Sequence, residues 1–337
     1  MSSWRSCGPS PEPARERDPG RAPVQACRLR EVVIAGHPSY RRAMARLGTI
    51  ARRVEQLLDT AVVSTTPVAG GDICTCTRVR LSDGRNAFVK TRHRAPAGFF
   101  TTEAQGLQWL GEAEGAAVPD VLAVAEDCLV LSWVEPGRPS ADAAESFGRA
   151  LAATHAAGAE TFGAAHDGYI GTLPLTNTPS QDWPEFWATR RVLPYLRLAV
   201  KREAIGADDH TAVTQVISRV SDFAGSPEPA SRLHGDLWSG NVVWSAEGPA
   251  YLVDPAAHGG HRETDLALLS LFGAPHVSRL LEAYDDVAPL QPGWRQRVPL
   301  HQLHPLLVHA ALFGGSYGAR AGAAARSLLD GTAGRGQ

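Results

Sequence analysis

The period of the apolar positions changes twice along the chain. Ile50, Val54, Leu57 and Leu58 recur at helical spacing and predict a first amphipathic helix. The pattern then alternates: "VAGGDICTCTRVRL" (68–81) runs through the turn "SDGR" into "NAFVK", ending at Lys90. This reads as a hairpin with glycines at one end and a lysine on the returning strand. Thr102 followed by Gln105 has capping-box spacing and opens a helix that carries Glu103, Leu107 and Leu110. "DCLVLSWVEPG" (127–137) is a buried apolar strand stopped by Pro136 and Gly137. Beyond it the period is helical, in 143–155, 183–200, 210–224 and several stretches after 264. One hairpin, "NVVW" and "AYLVD" joined by "SAEG", interrupts that second part. A strand-rich first part and a helix-rich second part joined near Gly137 predict an α+β fold.

The ends differ from the middle. In residues 1–43, Pro9, Pro11, Pro13, Pro19 and Pro23 are interleaved with arginine and glutamate, a composition that predicts disorder. Met44 is the only methionine besides Met1 and precedes the first periodic stretch, which makes it a candidate start. Residues 319–337, rich in Ala, Gly and Arg, read as a short helix fraying into a flexible tail from 321. The expected division is therefore a lobe over 44–136 and a larger one over 137–320.

Composition narrows the function classes. A formal charge of -2 leaves no basic excess for a nucleic-acid partner. No apolar run reaches the length of a membrane span and the N-terminus lacks an apolar signal core, so the expected location is cytoplasmic. The 5 cysteines are odd in number and suggest no disulfide framework.

The chemistry concentrates in "RLHGDLWSGNVVW" (232–244). The hairpin that follows brings Asp236, Asn241 and Asp254 to one rim. Two carboxylates and a carboxamide suit a hard divalent cation such as magnesium (Mg2+), with one carboxylate left to orient or deprotonate a hydroxyl. The spacing matches the protein-kinase catalytic loop H-R-D-L-x-x-x-N with a metal-binding Asp after a hairpin. Gly235 replaces the arginine, however, and Pro255 and Ala256 follow Asp254 in place of Phe and Gly. No A-P-E sequence follows. These departures point to a small-molecule phosphotransferase. The first part supplies the rest of that template. Gly70 and Gly71 would cover the phosphates, Lys90 would neutralise them, Glu103 would pair with the lysine, and the connector Ser132, Trp133 and Val134 would read an adenine edge.

"GGDI", "DGRNAFVK", "TTEAQGLQWL", "GYIGTLPLTN", "DWPEFWATRRVLPYLRLA", "HGDLWSGNV" and "VDPAAHGGHRETDLALLSLFG" together resemble the fructosamine/ketosamine 3-kinase family, over roughly residues 48–318. The tryptophan and Ser-Gly of "HGDLWSGN" separate it from aminoglycoside and choline phosphotransferases. The resemblance implies a two-lobed protein-kinase-like fold, with a small antiparallel-sheet N-lobe and a larger, mainly helical C-lobe. It implies use of ATP and magnesium to phosphorylate the 3-hydroxyl of a ketoamine, small or protein-bound, which then decomposes to free the amine. In bacterial members the implied acceptor is often a ribulosamine or erythrulosamine. Position by position, Asp236 would be the catalytic base and Asn241 and Asp254 the metal ligands. Lys90 with Glu103 would be the phosphate-positioning pair, and Gly70, Gly71, Asp72 and Ile73 the nucleotide-covering loop. Trp238 and His309 would line the sugar-amine pocket. Some members carry a cysteine where Asp72 stands, which counts against a redox switch at that loop here.

Plainer readings compete. Asp265 in "ETDLALL" reads as structural, and His234 as a scaffold histidine. His258 and His261 in "HGGH", with His301, His304 and His309, invite a zinc reading, but the pair lacks helical spacing and a cysteine partner. Two further function classes stay open: a phosphotransferase acting on another small alcohol such as an aminoglycoside or choline, and an inactive binding module. Monomer and dimer are not separated at this stage.

Overall fold

The computed structural model describes residues 38–69 and 73–333, with side chains for 47–69 and 73–331. The disorder expected over 1–43 falls outside that range up to residue 37 and is overturned for 38–43, which are helical; the glycine loop at 70–72 and the last four residues also lie outside it. The described residues from Ala51 onward form one compact unit.

Helix α1 (Pro38–Leu58) starts ahead of Met44, at a proline suited to a first helical turn. Its last turns meet the sheet: Arg53 pairs with Asp127 at 2.9 Å, and the Glu55 carboxylate accepts from Val62 N at 2.9 Å. An antiparallel sheet follows, with strands β1 (Val62–Val68), β2 (Thr75–Leu81), β3 (Asn86–Thr91), β4 (Val121–Val124) and β5 (Cys128–Ser132) in the order β1-β2-β3-β5-β4. Its register sets Lys90 opposite Cys76 on one side and Leu129 on the other. Helix α2 (Phe99–Gly111) packs Phe99, Phe100, Ala104 and Leu107 against Leu129 and Leu131.

The expected capping box is absent. Helix α2 begins three residues before Thr102, from Gly98 at φ 75°, and the Thr102 hydroxyl turns back to the Gly98 carbonyl at 2.8 Å. The strand expected over 127–137 ends at Ser132. From Trp133 the chain leaves the sheet and joins the helical part, where Ala246 N donates to Glu135 O (2.9 Å) and Gly137 N to Trp244 O (2.6 Å).

The helical part contains α3 (Ala141–Ala156), α4 (Trp183–Phe186), α5 (Leu193–Lys201), α6 (Ala207–Ser218), α7 (Val220–Phe223), α8 (Glu263–Leu271), α9 (Val277–Val287), α10 (Trp294–Phe313) and α11 (Tyr317–Ala333). A π-helical turn, Trp187–Val192, makes α4 and α5 one run. The part carries three two-stranded ladders where one hairpin was expected: the hairpins β6–β7 (Gly168–Ile170, Leu173–Leu175) and β9–β10 (Val242–Trp244, Ala250–Leu252), and β8 (Ser231–Leu233) paired with β11 (His258–Gly260) around the second of them. The tail expected from residue 321 is instead the body of α11. Ala321, Ala325 and Leu328 repeat at helical spacing and are buried against the core of the helical part, and alanine is the strongest helix former. Among the described residues no helix is long and apolar enough to cross a membrane.

Candidate active site

Lys90 lies in the middle of the sheet with about 5 % of its surface exposed. Its Nζ reaches Glu103 Oε1 at 2.6 Å and Asp254 Oδ1 at 2.8 Å. Burial alone would strip the proton, but the two carboxylates outweigh it and hold Lys90 well above the ordinary lysine range. Glu103 is aimed by the way α2 is seated. Tyr169 of β6 donates its hydroxyl to Ala97 O at 3.0 Å and sets its ring 5.3 Å from Phe99, so the β6–β7 hairpin braces the start of the helix.

The loop 234–241 is held at its start by a side chain that accepts from its backbone amides. Asp265 is fully buried and accepts from His234 N at 2.8 Å and Gly235 N at 3.0 Å. His155 Nε2 lies 3.3 Å from the same carboxylate, and His155 Nδ1 lies 2.8 Å from Tyr284 Oη. His234 accepts from Asp236 N on Nδ1 (3.2 Å) and so donates from Nε2 to Val253 O (2.8 Å), linking the loop to the chain ahead of Asp254. Gly235 sits at φ 81°, and a Cβ there would run into Ala256 O and stand 2.9 Å from His258 Cε1. That crowding explains why glycine stands where a protein kinase has arginine.

Asn241 Nδ2 donates to Asp236 O at 2.8 Å and Asp236 Oδ2 at 3.3 Å, bonds that leave its Oδ1 unused. The β9–β10 ladder places the next element: Val242 pairs with Leu252, Val253 N donates to Asn241 O at 3.0 Å, and Asp254 follows at φ 56°. A left-handed conformation in a non-glycine residue costs roughly 1–3 kcal/mol and persists where its surroundings dictate it. Asp236 feels its burial first and then the Asp254 charge, and its carboxyl is pushed up to about 7 against the pull of the Asn241 amide.

Trp238, two residues past Asp236, is about 36 % exposed. Its indole lies across Gly240, where any Cβ would strike the ring. Phe272 stands 6.0 Å from Trp238 and 4.8 Å from His309, which also meets Phe313 at 5.6 Å and Tyr317 at 5.1 Å. Trp238 and His309 therefore share one aromatic row. Sequence reasoning missed Phe272 and Tyr317, although "LFG" and "SYG" carried the signal.

The connector is fixed from the sheet side. Trp133 N donates to Asn86 O at 3.2 Å, and Ser132 Oγ accepts from Asp120 N at 2.8 Å. The Trp133 indole donates to Glu135 at 2.8 Å and lies under the Arg78 guanidinium at 4.5 Å, while Phe88 stands 6.3 Å away. Arg78 and Phe88 share the sheet face of Lys90, a placement that period-2 alternation from Lys90 would have found. Val134 continues the connector, and half-buried Ile73 closes the described end of the glycine loop against the α2 core. Gly70, Gly71 and Asp72 lie outside the described residues. Burial raises the Cys74 thiol to about 11 despite nearby Lys90, so the group carries its proton and is a poor redox nucleophile.

Away from the rim, His261, Glu263 and His301 form a buried cluster with ligand-type atoms within 4.8 Å of one another. Arg297 already grips Glu263 through two bonds, 2.5 and 3.0 Å, so a guanidinium occupies the place that a cation would take.

A family model described as fructosamine kinase matches residues 47–331. The probable ketoamine kinase of Escherichia coli strain K12 is 33 % identical over 268 residues, covering 78 % of this chain and 92 % of that protein. The probable ketoamine kinase of Thermus thermophilus is 37 % identical over 252 residues, covering 74 % and 88 %. The crystal structure of a "putative fructosamine-3-kinase" from Thermobifida fusca superposes with a TM-score of 0.80 at 48 % identity, covering 83 % of this chain and 98 % of that one. Choline kinase LicA from Streptococcus pneumoniae shares the fold alone, at 17 % identity and a TM-score of 0.58, with 85 % and 99 % covered.

Proposed function

This chain belongs to the fructosamine kinase family, and from that premise we propose that it transfers the γ-phosphoryl group of ATP to the 3-hydroxyl of a ketoamine, as the first step in freeing the glycated amine. The acceptor we favour is a ribulosamine or erythrulosamine, in the cytoplasm. The observation that carries this reading is the pairing of a raised carboxyl, Asp236, with the half-exposed indole of Trp238 beside it. One supplies a base for an acceptor hydroxyl and the other a flat apolar face for a sugar ring.

Asp236 would take the proton of the acceptor hydroxyl as its oxygen bonds the γ-phosphorus and the bond to the ADP oxygen breaks. Lys90, held charged between Glu103 and Asp254, would steady the α- and β-phosphates. The glycine loop with Ile73 would cover the nucleotide, and the backbone of Ser132, Trp133 and Val134 would meet the base. Asn241 Oδ1 and the Asp254 carboxylate are hard oxygen donors with no thiolate or imidazole among them, which fits magnesium. Magnesium bound there would neutralise charge on the β- and γ-phosphates. Trp238 and His309 would form the acceptor wall.

The test is ADP release with ATP and magnesium against ribulose-, erythrulose- and fructose-lysine, kanamycin and choline. Turnover confined to ketoamines is the expected result. Turnover confined to kanamycin or choline would reassign the acceptor, and none at all with nucleotide bound would leave an inactive binding module. Asp236→Ala should lower kcat by about 10²–10⁴-fold while ATP affinity stays within a few-fold, and a variant turning over like wild type would remove Asp236 from the mechanism.

A further inference from the structure

Arg191 is the most deeply placed cation of the helical part, 4 % exposed, on the π-helical turn of the α4–α5 run. Among the described residues it makes no ion pair with a carboxylate. It is spread over neutral partners instead. Nη1 donates to Thr176 O at 2.7 Å, Nη2 to Asn177 Oδ1 at 2.6 Å, and Nε to His258 Nε2 at 3.3 Å, with the guanidinium 4.4 Å over the Phe186 ring. Burial lowers its pKa to about 9 although Tyr195 and Asp167 favour the charged form, so the fold tolerates a charge without a paired carboxylate at a cost in stability. A neutral side chain of similar size would fill the space without that cost, and the reason for the charge must be sought in what it touches.

We propose that Arg191 is a positioning residue for the loop that carries Asp254, acting through the imidazole of His258. The inference rests on the reading of Asp254 as a metal ligand. A guanidinium can only donate, so its bond to Nε2 makes that nitrogen an acceptor and leaves the ring proton on Nδ1. Nδ1 then donates to Ala256 O at 2.8 Å, while Ala256 N donates to His234 O at 2.9 Å. The residue two places after Asp254 is thus fixed at both its amide and its carbonyl. Asp254 stands at φ 56°, a conformation that relaxes unless neighbouring peptides are held. With the other tautomer, His258 would present a lone pair to Ala256 O, and the carbonyl would turn away. Asn177 and Thr176, on the strand end after β7, anchor the guanidinium from the opposite side. The charge at 191 is what selects the tautomer at 258.

The readout is the calorimetric affinity for ADP with magnesium and again with EDTA, the ratio giving the metal-dependent increment. Arg191→Met should cut that increment about 10-fold, the size of effect seen when a partner of a metal ligand is removed, with affinity in EDTA within about twofold of wild type. His258→Leu should do the same. His258→Asn places an amide N–H near the Nδ1 position, loses the same ring volume, and should retain most of the increment. An unchanged ratio in Arg191→Met overturns the proposal whatever happens to Tm, as does equal damage in His258→Asn and His258→Leu. Should Arg191→Met not fold, the two His258 variants decide alone. No acceptor enters the measurement, so a wild type with a metal increment but no ketoamine turnover sinks the acceptor assignment and spares Arg191. A wild type without the increment sinks the reading of Asp254 and this inference with it.

Discussion

Asp236 carries an opposition between stability and function. Its carboxyl is pushed up to about 7 by burial first and by Asp254 second, whereas in the unfolded chain an aspartate titrates near 3.9. Ionisation is therefore harder in the folded state, and the penalty grows as pH rises from about 4 to about 7, then stays constant. Two outcomes follow. The acid limb of kcat/KM should fall below a pH near 7, because a protonated Asp236 cannot take the acceptor's proton. Asp236→Asn should unfold about 1–2 °C above wild type at pH 8, the shift that roughly 1 kcal/mol produces in a chain of this length, with no such gain at pH 4. Thermal scans of both proteins at both pH values check this, and an equal difference at the two would remove the linkage. Asp236, Asn241 and Asp254 were legible in the sequence because the loop and a short hairpin fix their spacing. The bonds of Asp265 to His234 N and Gly235 N were not, since they span 30 and 31 residues and use backbone amides that no residue pattern displays.

At the scale of elements, the β2–β3 hairpin and helix α2 act as one device for presenting an ammonium. Glu103 is about 9 % exposed and Lys90 about 5 %, so neither can be removed without leaving the other desolvated. Lys90→Met should lower unfolding stability by about 3–5 kcal/mol, the range found when one partner of a buried pair is deleted. Lys90→Met with Glu103→Leu should recover much of that loss and still bind ATP weakly, because packing replaces the pair but nothing replaces the cation. Urea unfolding of the three proteins decides it, and a double variant no more stable than the single would show that the pair is not coupled this way. The long hairpin was legible because six or seven alternating positions outweigh local noise. Strands β6 to β11 have three residues each, too few for a period to emerge, and only β9–β10 was found, through the polar turn between two apolar runs. Thr102 and Gln105 matched a capping signature, yet the helix was nucleated upstream by Gly98 in a left-handed turn, so a correct local motif was overruled by the chain before it.

For the whole molecule, sequence reading recovered the α+β architecture because the fold separates its strands and helices along the chain, and cut the C-terminal helix short at 321 because alanine-rich segments show little contrast between faces. What no pattern disclosed is how many imidazoles the fold keeps neutral. His234, His258, His261, His304 and His309 are all shifted below 6.5, each first by burial, with His304 down to about 3. In the unfolded chain each takes a proton near 6.5. The unfolded state therefore binds more protons as pH falls below that value, and each such group lowers stability by up to about 1.4 kcal/mol per pH unit until its own folded-state pKa is reached. Asp236 acts in the opposite sense over the same range, one carboxyl against five imidazoles. Glu263 is opposed by burial but held at about 2 by His301 and Arg297, so its contribution is lost only as pH falls from above 4 toward 2. The steepest loss should thus come from the histidines, between pH 6.5 and 5. His304 donates from Nδ1 to Arg191 O at 2.9 Å, a bond that an asparagine amide can also make. His304→Asn should keep the fold at pH 8 and reduce the slope below pH 6.5 by about 1.4 kcal/mol per unit, read from urea midpoints at pH 8, 7, 6 and 5. A wild-type midpoint that does not move between pH 7 and 5 would mean that these imidazoles gain their protons in the folded state at no cost, and burial would not be what holds them neutral.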